Sequence, residues 1–283
     1  MATPWAPSPG SIRASRSKDP RRDVRVARFV HATAFALQQD VVVPDRIFDE
    51  PRLAGVYDHL DSDRGDLDVY MSIARELGAR SVLDIGCGTG TFACLLAKEG
   101  FVVVGVDPAA AMLAVARRKD GADQVQWLHS VAVDLPPMRV DLATMTGNVA
   151  QVFLDDREWA ETLDAIHGVL RPGGYLVIES RRPERRAWLE WNRDDSIARV
   201  EIDGVGVVES WYDVLDVSLP LVTFRSTIVF YADGTELTSD STLRFRTRDE
   251  IVESLEVARF RITEVREAPD RPGNEYVFLA ARE

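Results

Sequence analysis

Two carboxylates and three glycines stand close together near the first third of the chain. Asp84 precedes Gly86, Gly88 and Gly90, and Asp107 ends a second apolar run about 20 residues after this loop. Glycine permits a tight turn and lets a ligand touch the main chain, while a carboxylate accepts hydrogen bonds from both hydroxyls of a ribose. Three glycines at one junction favour a nucleotide-like ligand over a tight turn alone.

The spacing does not match a dinucleotide or phosphate-binding loop. The position of the third glycine in a dinucleotide fingerprint holds Thr91, and no Lys-Ser/Thr pair follows the last glycine. Asp107 has a second interpretation as a helix cap beside Pro108, and both roles are compatible. If helix capping is its only role apart from ligand binding, loss of this carboxylate is expected to lower ligand affinity more than it lowers the stability of the fold.

The apolar pattern alternates short strands with amphipathic helices. "SVLDIG", "FVVVGVD", "QVQWLHSVA", "VDLATMTG" and "YLVIES" are strand-like, helices separate them, and "FRITEVREA" and "EYVFLAARE" close the chain. This order predicts an α/β fold with a doubly wound, mostly parallel, seven-stranded Rossmann-like sheet. The glycine loop then lies at the carboxyl edge of the sheet, where open α/β folds bind ligands.

The segment after the fifth strand has a different character. Residues 187–246 contain strand-like runs with no long helix, and "ADG" is typical of a hairpin turn. We expect an inserted antiparallel β meander that acts as a lid or substrate subdomain within a domain spanning residues 45–283. Residues 1–44 are rich in Pro, Ser and Arg, which predicts a disordered or non-catalytic extension.

The net charge, the length of the apolar runs and the cysteine spacing limit the kinds of partner that the protein can bind. A net charge of −12 argues against broad binding to nucleic acid or anionic membranes, and no apolar run approaches the roughly 20 residues of a membrane span. Cys87 and Cys94 lack the spacing of a disulfide framework or a metal site, which predicts reduced thiols in a cytoplasmic protein and no metal.

Three segments resemble the class I S-adenosylmethionine-dependent methyltransferases in order and spacing. They are "VLDIGCGTG", "VVGVDPAAAML" and "LRPGGYLVIE", and the resemblance covers roughly residues 50–185 together with the closing helix and strands. The resemblance implies S-adenosylmethionine as cofactor and S-adenosylhomocysteine as product. Such a cofactor has no phosphate, so the loop needs no lysine, and an acid near its ammonium group is useful.

The cofactor contacts implied by this resemblance fall on both loops. The acid of the first motif corresponds to Asp84 and the ribose acid to Asp107, and Val131 stands where many members place an adenine-binding Asp. Adenine recognition is then expected from the backbone around Ala132 and from apolar contact. The complete predicted set is Asp84, Gly86, Cys87, Gly88, Gly90, Asp107, Pro108, Ala132 and Thr146.

The acceptor side is less determined. "MTGNVAQVF" is similar to the segment of glycine N-methyltransferase whose amide side chain faces the acceptor, which points to Asn148 and Gln151, although Asn also suits turns. Tyr57 matches the tyrosine that covers the methyl region in such enzymes. The predicted catalytic residues are Tyr57, His129 and Asn148, and the predicted acceptor-binding residues are Asn148, Gln151, Glu179 and Arg225.

The sequence therefore predicts methyl transfer to a small-molecule acceptor by in-line displacement, a reaction for which orientation supplies much of the rate. Two alternatives stay open. One is a nicotinamide-dependent oxidoreductase, and the other is a non-catalytic cofactor-binding or regulatory protein, which Val131 favours. The acceptor and the oligomeric state are left undetermined.

Overall fold

The computed structural model describes residues 43–283, so the predicted extension at residues 1–44 lies almost wholly outside the described part. The helices are α1 (Arg46–Asp49), α2 (Pro51–Leu60), α3 (Leu67–Glu76), α4 (Thr91–Lys98), α5 (Ala110–Ala116), α6 (Asp156–Val169), α7 (Arg193–Ser196) and α8 (Arg248–Val257). The strands are β1 (Ser81–Ile85), β2 (Val102–Asp107), β3 (Val125–His129), β4 (Val140–Met145), β5 (Leu170–Arg181), β6 (Ala198–Ile202), β7 (Gly206–Ser218), β8 (Leu221–Phe230), β9 (Thr235–Arg244), β10 (Phe260–Glu267) and β11 (Glu275–Arg282).

Seven strands form the main sheet, in the order β10-β11-β5-β4-β1-β2-β3. The five from β1 to β5 are parallel, whereas β11 pairs antiparallel with both β5 and β10. The strand order reverses direction beside β1, between β1 and β4, and this switch point opens a crevice at the carboxyl ends of the strands. The predicted fold class is confirmed.

Helices cover both faces of this sheet, which explains why its central strands are apolar on both sides. On one face α6 and α8 bury Trp159, Leu163 and Ile251 against β4, β5 and β11. On the other face α3 and α4 bury Tyr70 and Phe92 against β1 and β2. The rigid double layer fixes the strand ends from which the loops of the site emerge.

A second, antiparallel sheet, β6-β7-β8-β9, occupies the chain between β5 and α8. We call it sheet B. Its inner face packs Ile228 and Phe230 against Leu53 and Val56 of α2, so sheet B and α2 share one apolar core. The apolar pattern of residues 199–217 reads as one strand-like run, but a turn at Gly204, with φ of 75°, divides it into β6 and β7.

Two element boundaries differ from the sequence prediction. The sequence predicts a helix opened by Pro108, but α5 begins at Ala110, because the Asp107 carboxylate accepts from the amide of Ala109, which stays extended. The sequence also predicts that "RPGG" separates a helix from the fifth strand, but β5 begins at Leu170 and includes this segment. The pattern of Thr247 and Glu250 predicts a capping box, and α8 has one.

Within residues 43–283 no helix combines the length and apolar character needed to span a bilayer. The same part of the chain contains no group of three or more His, Cys, Asp or Glu residues arranged to hold a metal ion.

Candidate active site

The glycine loop wraps around the carboxyl end of β2. The amides of Gly86 and Cys87 both donate to the carbonyl oxygen of Val106, at 2.9 and 3.1 Å, and the amide of Gly90 donates to the Cys87 carbonyl at 2.8 Å. The Gly88 amide donates to the Asp107 carboxylate at 2.8 Å. Backbone hydrogen bonds therefore fix the loop against β2.

The three loop glycines are required for different reasons. All have positive φ, of 66°, 53° and 75° at Gly86, Gly88 and Gly90. A Cβ atom at Gly90 would lie 2.4 Å from the Trp127 ring, and one at Gly86 would lie 2.6 Å from Val149, so protein packing excludes a side chain at both. A Cβ atom at Gly88 would meet no atom within 4 Å. Gly88 is therefore the loop glycine beside open space that a ligand could fill.

Asp107 joins this loop to the start of α5. One of its carboxylate oxygens accepts from Gly88, and the other accepts from the Ala109 amide at 2.8 Å. Burial raises its pKa, and these two backbone hydrogen bonds oppose the rise. Each carboxylate oxygen retains a second lone pair, so the capping role and a ribose contact are compatible, as the sequence indicated.

Asp84 is a second buried carboxyl group in the same crevice. It is 2% exposed and accepts a hydrogen bond of 3.0 Å from the Thr144 hydroxyl. Burial and the Asp107 charge raise its pKa to about 7, against the lowering effects of the Thr144 hydrogen bond and the positive charge of Arg64. Neither Asp84 nor Asp107 forms a salt bridge with a lysine or arginine of residues 43–283.

These observations fit a cationic ligand with a diol. Two buried carboxyl groups without a cationic partner are costly unless a positive ligand compensates them. S-adenosylmethionine carries an ammonium and a sulfonium group and a ribose, which matches this donor and charge set. Arg64, which donates two hydrogen bonds to the Asp66 carboxylate at 3.0 and 3.1 Å, adds a cation near Asp84 that could face the carboxylate of such a ligand.

Helix α2 is tied to the glycine loop. Asp58 accepts from the Thr89 hydroxyl at 2.5 Å and forms a salt bridge of 2.5 Å with Lys119, whose ammonium also donates to Thr91. Tyr57, the neighbouring residue, is therefore held beside the crevice. Burial raises the pKa of Tyr57 to about 12, with smaller contributions from Tyr212 and Asp61, so its hydroxyl is a hydrogen-bond donor at neutral pH.

Asn148 and Glu179 meet at the ends of β4 and β5. Asn148 has a left-handed backbone, with φ of 63°, and its side-chain amide donates to Glu179 at 3.1 Å. Glu179 is fully buried and also accepts from the Tyr70 hydroxyl at 2.5 Å and the Gly147 amide at 3.1 Å. The sequence suggested that Glu179 contacts the acceptor. The structure gives this no support, because Asn148, Tyr70 and Gly147 surround the Glu179 carboxyl group with donors.

We use the word cleft for the region where α2, the end of β5 and sheet B meet around Tyr57, Arg181 and Tyr212. These three side chains lie close enough together to affect one another's pKa; Tyr57 and Arg181 are partly exposed, and Tyr212 is 43% exposed. Arg181 lies 5.8 Å from the Trp191 ring, and Phe224 connects Trp191 with Tyr212 through ring contacts of 4.7 and 5.7 Å. The region thus brings two phenols and one guanidinium together beside a cluster of aromatic rings.

The other predicted catalytic and acceptor-binding residues lie in different parts of the structure. Gln151 lies beside this cleft and accepts from Arg181 at 3.0 Å. His129 is exposed, and its Nε2 lies 2.9 Å from the Pro108 carbonyl oxygen, which can only accept, so that nitrogen is a donor. Arg225 forms an exposed bidentate pair with Asp240 on sheet B, a geometry that gives acceptor binding no support.

The remaining predicted cofactor residues follow the loops. Cys87 stays a thiol, because burial raises its pKa well above the usual value. Ala132 is buried in a short turn after β3, Val131 precedes it, and Thr146 is half-buried after β4. The carboxyl ends of β1 to β4 thus surround one crevice.

Sequence reasoning missed several residues of the site. Arg64, Tyr70, Arg181, Tyr212, Arg271 and Glu275 were not singled out. Arg181 had a usable signal, because it lies two positions after Glu179 and therefore on the same side of β5. The others depend on contacts between distant segments, which one sequence does not reveal.

Comparison with known proteins supports this geometry. Residues 82–174 match the family model described as a methyltransferase domain. A demethylmenaquinone methyltransferase of Clavibacter sepedonicus is 37% identical over 110 residues, which are 38% of this chain and 43% of that protein. The glycine N-methyltransferase of Rattus norvegicus is 33% identical over 128 residues, 39% of this chain and 43% of that protein. The matches thus span less than half the length of these relatives.

The fold comparison covers more of the chain. The sugar N-methyltransferase of Streptoalloteichus sp. superposes with a TM-score of 0.67 at 23% identity, covering 81% of this chain and 93% of that one. The fold and the crevice define a Rossmann-like ligand-binding α/β protein. Residues 82–174 match a methyltransferase domain, and the resemblance to class I S-adenosylmethionine-dependent methyltransferases that the sequence indicates is confirmed.

Substituting two loop glycines separates packing from ligand contact. Gly90→Ala is expected to lower the free energy of unfolding by roughly 2–5 kcal/mol, from backbone strain and the clash with Trp127. Gly88→Ala carries only the strain, about 1–2 kcal/mol, but should weaken S-adenosylhomocysteine at least about tenfold. Urea unfolding and calorimetry on both variants measure the contrast. Equal stability losses with unchanged affinity for Gly88→Ala would contradict the assignment of the open space.

Removal of the Asp107 carboxylate affects both binding and folding. Asp107→Ala is expected to weaken S-adenosylhomocysteine on the order of 30- to 1,000-fold. Because two backbone amides lose their acceptor, the free energy of unfolding should also fall by roughly 2–4 kcal/mol, more than the sequence alone indicated. Asp107→Asn, which keeps one acceptor oxygen, should lose about half as much stability. Unchanged affinity in both variants, measured beside their unfolding midpoints, would leave Asp107 a cap only.

Proposed function

We propose that this protein transfers a methyl group from S-adenosylmethionine to a small-molecule acceptor by in-line displacement. The observation that carries the proposal is the pair of buried carboxyl groups, Asp84 and Asp107, which form no salt bridge with another residue of the described part of the chain and lie beside an open glycine loop. The methyltransferase-domain match over residues 82–174 supports methyl transfer rather than hydride transfer to a nicotinamide.

The residues that would hold the cofactor are those of the crevice. Asp107 would accept from the ribose hydroxyls, Asp84 would face the ammonium group, and Gly88 would leave room for close approach to the main chain. Apolar contact beside Val131 and Ala132 would receive the adenine, since neither side chain offers a polar atom. When bound, the cofactor supplies an electrophilic methyl group on a sulfonium.

The acceptor would bind in the cleft between Tyr57, Arg181 and Tyr212. Sheet B contributes Tyr212 and the ring contacts beneath it, in keeping with a lid or substrate subdomain. Tyr57 donates a hydrogen bond at neutral pH, and Arg181 presents a guanidinium, held on one side by Gln151. These groups orient the acceptor and exclude water, and such orientation is the main requirement of a direct displacement.

The nature of the relatives supports a small acceptor. The proteins that this chain resembles are named for demethylmenaquinone, glycine and a sugar, and all three are small molecules. Of the predicted catalytic residues, Tyr57 keeps its proton at neutral pH and so serves as a hydrogen-bond donor, whereas His129 donates from Nε2 to a carbonyl group, which leaves the lone pair of the neutral ring on Nδ1.

A binding and transfer experiment tests the proposed function. Isothermal calorimetry should show saturable binding of S-adenosylhomocysteine and S-adenosylmethionine, whereas NADH titrated under the same conditions should give no heat. Methyl-labelled cofactor incubated with a metabolite extract should label at least one small molecule. Folded protein that binds neither cofactor form overturns the proposal, and tight binding without any transfer favours a regulatory protein.

The ionisation of Asp84 gives a pH signature of cofactor binding. Its pKa of about 7 means that the carboxyl group is mostly neutral at pH 6 and mostly charged at pH 8. A ligand ammonium prefers the charged form, so S-adenosylhomocysteine should bind several-fold more tightly at pH 8 than at pH 6. Calorimetry at both pH values checks this, and Asp84→Asn should bind more weakly and without that dependence.

The same shift affects folding in the opposite direction. Because the pKa of Asp84 is raised on folding, the folded protein holds one more proton than the unfolded chain between about pH 4 and pH 7. Its contribution to the free energy of unfolding therefore falls as pH rises through this window. Denaturant unfolding should show Asp84→Asn gaining stability relative to the wild type from pH 5 to pH 8; a constant difference would contradict the shift.

A further inference from the structure

The side-chain amide of Asn148 is held by two carboxyl groups from different strands. Its Nδ2 donates to Oε1 of Glu179 at 3.1 Å and to Oε1 of Glu275 at 3.0 Å. Asn148 is 3% exposed, Glu179 is fully buried and Glu275 is 1% exposed. Both amide hydrogens are thus used inside the protein.

This arrangement fixes which end of the amide is which. Rotation of the Asn148 amide by half a turn would place its oxygen against two carboxyl groups that already accept from other donors. Burial and the neighbouring Glu275 raise the pKa of Glu179 to about 8, so a protonated Glu179 could donate to a flipped amide. Glu275, which already accepts from Arg271, would then face the amide oxygen with no hydrogen between them, whereas the observed orientation donates to both glutamates. The amide oxygen therefore points away from the glutamates.

The outward oxygen has no donor. Among residues 43–283 no group donates to Oδ1 of Asn148 or to Oε2 of Glu275, although both atoms are enclosed. An enclosed acceptor without a partner is unfavourable, and a native structure usually reserves such an atom for a ligand or water. The unpartnered oxygen of Asn148 therefore calls for a hydrogen-bond donor.

A second layer braces the two glutamates. Arg271, from the loop between β10 and β11, lies 3.3 Å from Glu179 and 3.1 Å from Glu275. Tyr70 donates to the other oxygen of Glu179 at 2.5 Å, and the same oxygen accepts from the Gly147 amide. The turn before Asn148 and its side chain are therefore held by one network.

We propose that Glu275, braced by Arg271, is a positioning residue that fixes the Asn148 amide so that its oxygen accepts a hydrogen bond from the methyl acceptor. The acceptor then carries a hydrogen on the reacting atom, as an amine or a hydroxyl does, and a group that offers only lone pairs is disfavoured. This inference rests on the proposed function, since it concerns the acceptor of the same reaction.

Sinefungin tests the inference without knowledge of the acceptor. In this cofactor analogue a carbon that bears an ammonium group replaces the methylsulfonium, so it places N–H donors where the methyl group would meet the acceptor. S-adenosylhomocysteine has no donor there. The ratio of their dissociation constants therefore cancels the contacts that both ligands share and reports the effect of the added ammonium group. In Asn148→Gly, which changes no charge, a fall in this ratio measures the hydrogen bond to the Asn148 oxygen.

Three variants complete the experiment. Asn148→Gly removes the side chain at a left-handed position that glycine adopts freely. Glu275→Gln keeps the shape, but the new side chain can donate as well as accept, so it no longer fixes the orientation of the Asn148 amide. In both, the preference for sinefungin should fall about tenfold or more, while S-adenosylhomocysteine affinity changes less than about threefold. Glu264→Gln, which removes an exposed carboxylate from neighbouring β10, is the matched control and should leave the ratio unchanged.

The outcomes distinguish failure of the positioning role of Glu275 from failure of the proposed methyl transfer. An unchanged ratio in both Asn148→Gly and Glu275→Gln, with S-adenosylhomocysteine still bound, overturns the positioning inference alone. No binding of S-adenosylhomocysteine to the wild type overturns the proposed function instead. If Glu275→Gln loses its near-ultraviolet circular dichroism, Arg271→Gln on the half-exposed loop replaces it, and the same fall in the ratio is expected.

Discussion

The carboxylate of Asp107 holds together the two segments on which the crevice depends. It accepts the Gly88 amide with one oxygen and the Ala109 amide with the other, so the glycine loop and the start of α5 share a single anchor. Because the loop also hydrogen-bonds to the Val106 carbonyl, its open side is held towards the switch point of the sheet. Each carboxylate oxygen still has a lone pair that can accept a hydrogen bond from a ligand in the crevice. Burial removes water from these lone pairs, and this desolvation lowers the stability of the protein without ligand.

The cofactor side of the site could be predicted because its chemistry is local. Asp84, the loop glycines and Asp107 lie within 24 positions of one another and follow two apolar strands whose pairing the pattern itself predicts. The fold class was predictable for the same reason, since alternating strands and helices leave few topologies. Pro108 shows the limit of this reasoning. A proline often opens a helix, but here a side-chain hydrogen bond displaced the start by two residues.

The acceptor side could not be predicted, because its contacts join distant parts of the chain. The amide of Asn148 meets Glu275, which lies 127 residues later, and Tyr70 meets Glu179 across 109 residues. Asn148 itself was identified by resemblance, but the function of its amide depends on carboxyl groups that no local pattern marks. Arg225 illustrates a different limit. A basic residue on an inserted strand suggests an acceptor contact, and the structure places this one in an exposed ion pair with Asp240, a partner that the sequence pattern does not mark.

Helix α2 belongs to two neighbourhoods at once. Its apolar side completes the core of sheet B through Leu53 and Val56, and its polar side anchors the glycine loop through Asp58. The same helix therefore positions both sheet B and the glycine loop. A change that repacks the sheet B core would also shift Asp58, which anchors the loop. Diversification of the acceptor is then easiest at the accessible rim, as at Tyr212, where a new side chain alters the pocket without turning the helix.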